Sequence, residues 1–332
     1  MGSISSSRRG RSKMAWLSRH FVFLVGALLP LAAQDNTPGG EMRRITSDGT
    51  LRIGMYLGFE GLSFRERGKL NGLEVELAKL LCEKLSKDLG TNIRADIVNQ
   101  EWSQIIKVLR DKKYDAVLSA VIPSSLYDRY HVRYTRSYLD TGPTICCQER
   151  DGKPAKNVTD KASSLEGKRV VVINDPAVRR VLRRAGVFVP GQEDATDLER
   201  AFPKSATESE LRKAGFNVPL VSVKEILQID EMPVIYEMLA EGKVDAGVID
   251  LGIIWWVSTG SPRWSDKIYA FPHPVGPYIY SVATREEDVD LGKVLDAAVS
   301  AMTADPRYGE TLRRWHGSDP FQWNLKPEDF LK

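Results

Sequence analysis

Three cysteines and four histidines are all that a chain of 332 residues offers to thiol, disulfide or metal chemistry. No C-x-x-C spacing occurs, which excludes the common zinc and redox motifs. Cys146 and Cys147 are neighbours in a predicted strand, where adjacent side chains point to opposite faces, and Cys82 falls in a predicted helix. All three read as small buried hydrophobes. His20, His131, His273 and His316 show no pairing with a serine or cysteine nucleophile and no metal-ligand spacing, so no catalytic residue, metal or cofactor is expected.

A true excess of charge is also missing. The formal net charge of +3 rests on Arg8, Arg9, Arg11, Lys13 and Arg19; after residue 33 the chain carries 42 Lys and Arg against 44 Asp and Glu. A nucleic-acid surface is therefore not expected. The one long apolar run, Phe21 to Ala33, is too short to span a bilayer comfortably and is interrupted by Pro30. Basic residues before it and small residues at its end have the build of a cleavable secretory signal over residues 1–33. Met14 is a plausible start, Arg8-Arg9 is a weak twin-arginine signal, and the export route stays open. No cysteine follows the run to accept a lipid.

What is present is globular: 42% hydrophobic and 27% charged residues, over enough length for two lobes with separate cores. A polar linker is expected after the signal, from Gln34 to Asp48 with lobe one beginning about residue 45. Leu51 to Tyr56 alternates as a strand, and Leu73, Leu77, Leu80, Leu81 and Leu85 space one face of a helix that ends before Gly90. Ile93 to Val98, Trp102 to Leu109 and Tyr114 to Val121 continue as strand, helix and strand. The alternation repeats in Arg169–Ile173, Ala177–Ala185, Leu220–Val223, Met232–Ala240 and Val244–Ile249, and it closes on helices carrying Leu291 to Met302 and Leu312 to Trp315. Such alternation predicts parallel α/β units. Residues 190–217, poor in apolar side chains, read as an insertion on the surface.

Several segments, in order, carry a family resemblance. Gly68 to Ala78, with Gly72-Leu73-Glu74-Val75-Glu76-Leu77-Ala78, is followed by Trp102 to Leu109, Lys113-Tyr114-Asp115-Ala116 and Val132 to Tyr138. Leu165-Glu166-Gly167-Lys168-Arg169-Val170 and Tyr308 to Gly317 complete the set. Together they resemble the extracellular solute-binding proteins of family 3, the periplasmic receptors that feed ABC importers, over about Leu51 to Gly317. The resemblance implies an α/β, two-lobed periplasmic binding protein-like fold with two hinge crossings and a cleft between the lobes. Lobe one is then 45–142 plus 268–332, lobe two 143–267, and the crossings fall near Thr141 to Cys147 and Ser265 to Ala270. It further implies a monomeric periplasmic receptor that delivers a small polar solute to an ABC permease. Two other roles are kept beside it: an accessory partner-binding module of a periplasmic redox or signalling system, and a dehydratase-like enzyme on the same fold.

The family's site residues map onto this sequence one at a time. Arg129 aligns with the arginine that grips a ligand carboxylate, a task suited to a rigid guanidinium fork. Asp250 aligns with the carboxylate that takes an ammonium, and lies past the carboxyl end of a strand, where parallel sheets bind ligands. Ser119 and the backbone at Ala120 match a polar lip of donors. Tyr56, Phe59 and Trp102 stand near stacking positions and suit a cationic group, although core packing would explain them too. Two departures matter. Ile122-Pro123 replace a hydroxyl residue, leaving Ser124 or Ser125 as substitutes or as helix caps. Asn174-Asp175-Pro176 replace an anion-binding turn, and Pro176 has no N–H to give. An ordinary α-amino acid is thereby in doubt, and Asn174 or Asp175 is expected to face an amine or hydroxyl.

Overall fold

A computed structural model describes residues 39–155, 157–189, 208–213, 217–317, 321 and 325–331. The expected signal and most of the 190–217 insertion lie outside the described residues. Among the described residues no helix is long and apolar enough to cross a membrane.

Two sheets carry the chain. The first orders its strands Arg94–Asn99, Thr50–Met55, Ala116–Val117, Tyr278–Arg285 and Val132–Thr141, the first three parallel and Tyr278–Arg285 antiparallel to its neighbours. The second runs Glu225–Ile229, Arg169–Ile173, Ala246–Asp250, Pro143–Arg150 and Ile268–Pro274, again with three parallel strands and then two antiparallel contacts. Each half thus repeats one plan, as the alternation of strands and helices predicts. The core is Val, Ile and Leu from both sheets; Val170, Val171, Val172, Ala246 and Val248 are fully buried because helices cover both faces.

The helix Leu73–Leu89 shows how sequence sets an element. Leu73, Leu77, Leu80, Leu81 and Leu85 face the core, each worth about 1.5–3 kcal/mol in buried surface, and Gly90 ends the helix with left-handed backbone at φ 64°. The residues expected to be a linker behave differently: Gly40–Asp48 is a helix with Ile45 buried. Its docking is ionic. Glu41 and Arg44 join Arg52, Asp115, Asp288 and Arg285 in one charged cluster, with Arg44 2.6 Å from Asp115 and Arg52 2.6 Å from the same carboxylate. With few apolar residues, that stretch gives no hydrophobic period to read.

The crossings fix how the halves meet. Strand Val132–Thr141 of the first sheet leads through Gly142 into strand Pro143–Arg150 of the second, within the expected span. The return crossing is Val275–Pro277, not Ser265–Ala270, because Ile268–Pro274 pairs with Pro143–Arg150 and so belongs to the second sheet. The two crossings touch. A Cβ on Gly142 would lie 2.0 Å from the carbonyl oxygen of Gly276, so no other residue fits there without a shift.

Candidate functional site

The space between the halves is walled by the ends of the parallel strands. Thr50–Met55 runs into Tyr56, Arg169–Ile173 into Asn174 and Asp175, and Glu225–Ile229 into Asp230 and Glu231. All of these line a cavity of about 600 Å³, where doubly wound sheets place their ligands. The first half adds Glu101, Trp102, Lys107, Tyr127, Arg129 and Tyr130. Tyr56, Trp102, Arg129, Asn174 and Asp175, five of the expected residues, therefore line one cavity.

Arg129 sits on the short 3-10 turn Ser125–Tyr130, exposed, with its guanidinium 4.7 Å from the Tyr130 ring centre. Stacking on that ring orients it without using its donor fork. Asn174 is held on the opposite wall: its amide donates to Asp230 at 2.9 Å, and its carbonyl accepts from Arg179 at 3.1 Å. Asp175 is buried and caps the helix Pro176–Arg184, accepting the Ala177 N–H at 2.7 Å. Burial raises its pKa against the pull of that bond and of Arg179 and Arg180.

The remaining expected residues have other surroundings. Phe59 is 2% exposed and packs edge-on to Tyr56 at 4.8 Å and Trp102 at 5.3 Å, so it backs the aromatic wall from within the core. Ser119 is buried and its hydroxyl accepts the Tyr56 N–H at 3.0 Å. Ala120 has left-handed backbone, φ 49°, which turns its N–H onto Glu74 at 2.6 Å and the Tyr138 hydroxyl at 3.1 Å. The donor lip is thus consumed inside the first half. Ser124 faces a separate cavity of about 280 Å³ bounded by Val275–Tyr278 and Arg180. Asp250 is 5% exposed and outside the cavity lining; it accepts a hydrogen bond from the Tyr280 hydroxyl, while its Oδ1 has no hydrogen-bond partner among the described residues. Burial first, then the charges of Asp175 and Glu74, push its pKa up to about 7.

Glu74 is the residue that sequence reasoning passed over. It is fully buried, accepts from Ala120 and Tyr138 on one oxygen and meets the Ser63 hydroxyl at 3.3 Å on the other. Burial raises its pKa to about 7 against those bonds. Asp230 and Glu231 were missed for a different reason. Glu225-Ile226-Leu227-Gln228-Ile229 is a strand the alternation did not single out, and the rule that ligands gather at strand ends would have found both carboxylates once that strand was recognised.

The chain matches the model of the bacterial extracellular solute-binding proteins, family 3, over residues 51–318. It is 24% identical over 290 residues to the L-arginine-binding protein of Pseudomonas aeruginosa, covering 84% of this chain and 92% of that protein. To the L-cystine-binding protein TcyJ of Escherichia coli it is 24% identical over 312 residues, covering 92% and 98%. Among solved structures, Tv2483 bound to L-arginine superposes with a TM-score of 0.59 at 18% identity, covering 86% of this chain and 98% of that one.

Proposed function

We propose, for a chain that belongs to the bacterial extracellular solute-binding proteins of family 3, that it captures a small polar solute between its two lobes and hands it to an ABC permease. The observation that carries this reading is the interlobe cavity of about 600 Å³, with Tyr56, Trp102 and Arg129 on one wall and Asn174 and Asp175 on the other. A ligand touching both walls favours the closed arrangement over the open one, which is what a receptor needs in order to signal occupancy. The protein works in the periplasm as a monomer after loss of residues 1–33. Relatives that bind arginine and cystine support an amino acid or related amine as the solute class.

In this role Arg129 supplies a bidentate grip on an anionic group, Trp102 and Tyr56 supply aromatic faces, and Asp175 faces a cation. Asp250, buried and outside the cavity lining, has no direct part in this grip. A thermal-shift panel of amino acids and their amines should give at least one solute that raises the melting temperature by several degrees at 1 mM, as expected when only the folded state binds. A panel without a single binder would count against the receptor role. For the solute so found, Trp102→Ala and Arg129→Ala should each weaken binding at least tenfold by calorimetry.

A further inference from the structure

The cavity divides its charges by lobe. Lys107 and Arg129 stand on the first, beside Glu101, while the second presents only carboxylates: Asp175, Asp230 and Glu231. Arg179 of the second lobe spends its Nη1 on Asn174 at 3.1 Å and Gln228 at 2.9 Å and does not line the cavity. At the start of the Pro176–Arg184 helix the groups that could hold a ligand carboxylate are missing or committed. Pro176 has no N–H, and the Ala177 N–H is taken by the Asp175 side chain. On the first lobe the Ala120 N–H goes to Glu74 and Tyr138.

The geometry points to a ligand selected by its cationic group, held by the second lobe between Asp175, Asp230 and Glu231 and against the Tyr56 and Trp102 rings, with a carboxylate dispensable. The acidic character reaches the aromatic wall: the Tyr56 phenol is held above its usual range by burial and then by Glu101 and Glu231 on either side. The Asp175 carboxylate occupies the helix start that would otherwise favour an anion, so a carboxylate brought to this wall meets negative charge instead of N–H donors. A ligand carboxylate keeps cationic partners on the first lobe alone, the exposed Arg129 and Lys107. Aromatic faces and clustered carboxylates are the chemistry that recognises ammonium and guanidinium groups.

This inference rests on the cavity being the solute site, and matched pairs separate the two claims. Calorimetry of the purified protein with arginine and agmatine, lysine and cadaverine, and histidine and histamine compares each amino acid with the amine that lacks its carboxylate. In the pair that binds, the amine should be no more than tenfold weaker than the amino acid. Asp175→Asn, which keeps a cap acceptor but removes the charge, should weaken the amine at least tenfold with the helical circular dichroism intact. Arg129→Ala should cost the amino acid at least tenfold more affinity than the amine. An amino acid that binds while its amine is more than tenfold weaker overturns the inference and leaves the receptor role standing. Failure of all six to bind removes the basis for both.

Discussion

Arg285→Leu should lower the folding stability by about 3–5 kcal/mol, the usual penalty for removing one member of a buried ion pair. Arg285 is 0% exposed, at the end of strand Tyr278–Arg285. Its Nη1 donates to the carbonyls of Leu109 at 3.1 Å and Tyr114 at 2.8 Å. Its Nη2 stands 2.6 Å from Asp288 and 3.6 Å from Glu41, close enough for ion pairing although not aligned as a hydrogen bond. Leucine fills the volume but leaves the two carbonyls and Asp288 without their cation, while Glu41 keeps Arg44 at 3.0 Å. The Asp288 carboxyl is already raised by burial with Arg285 beside it, so it would then be driven further toward the neutral form. Urea unfolding should show a lower midpoint at unchanged slope. Adding Asp288→Asn to the leucine variant should recover part of the loss, because the two sites share one interaction. Strict additivity of the two changes would mean that the cluster is not coupled.

Glu74→Gln should abolish a pH dependence worth on the order of 3 kcal/mol, the equivalent of a carboxyl raised from 4.5 to about 7. The sign follows from proton counts. Between the unfolded and folded values the native state holds the proton and the unfolded state has lost it, so this contribution is fully present below about pH 4.5. It is lost as pH rises through about 7. A protonated form fits the surroundings: Oε1 accepts from Ala120 and Tyr138, and a proton on Oε2, 3.3 Å from the Ser63 hydroxyl, would let that hydroxyl act as acceptor there while it donates to the Tyr56 carbonyl at 2.8 Å. Glutamine reproduces that donor and acceptor pattern without a charge. The variant should therefore match the native protein near pH 5 and exceed it at pH 8. Asp250, also near 7, contributes slope of the same sign, so some pH dependence survives Glu74→Gln. Parallel stability curves for the two proteins across pH 5–8 would show that Glu74 is ionised in the fold.

Alternating strands and helices were legible because local periodicity encodes them, as in the Leu73–Leu89 helix with its Gly90 terminus. Elements without a period were not. Tyr278–Arg285 is buried at every position, so it has no polar face to alternate with, and Gly40–Asp48 docks by charge. The site divides along the same line. Tyr56, Asn174 and Asp175, expected from the family resemblance, follow strands that local alternation makes readable. The direction of the Ala120 N–H is set by its backbone angle and by Glu74, 46 residues away, and the burial of Asp250 is set by Tyr280, 30 residues on. Such pairings arise from packing, and no window along the chain contains them.

Gly142 and Gly276, pressed together where the chain passes between the sheets, give the molecule something like a door hung on a single pin. Two separate straps would let one lobe shear, twist or swing against the other. Two that touch, with Val275 also donating to the Pro143 carbonyl at 2.8 Å, leave one easy rotation. Any opening of the cavity would then turn about that line, like a book about its spine, and would bring the walls that carry Arg129 and Asp175 back to the same opposition.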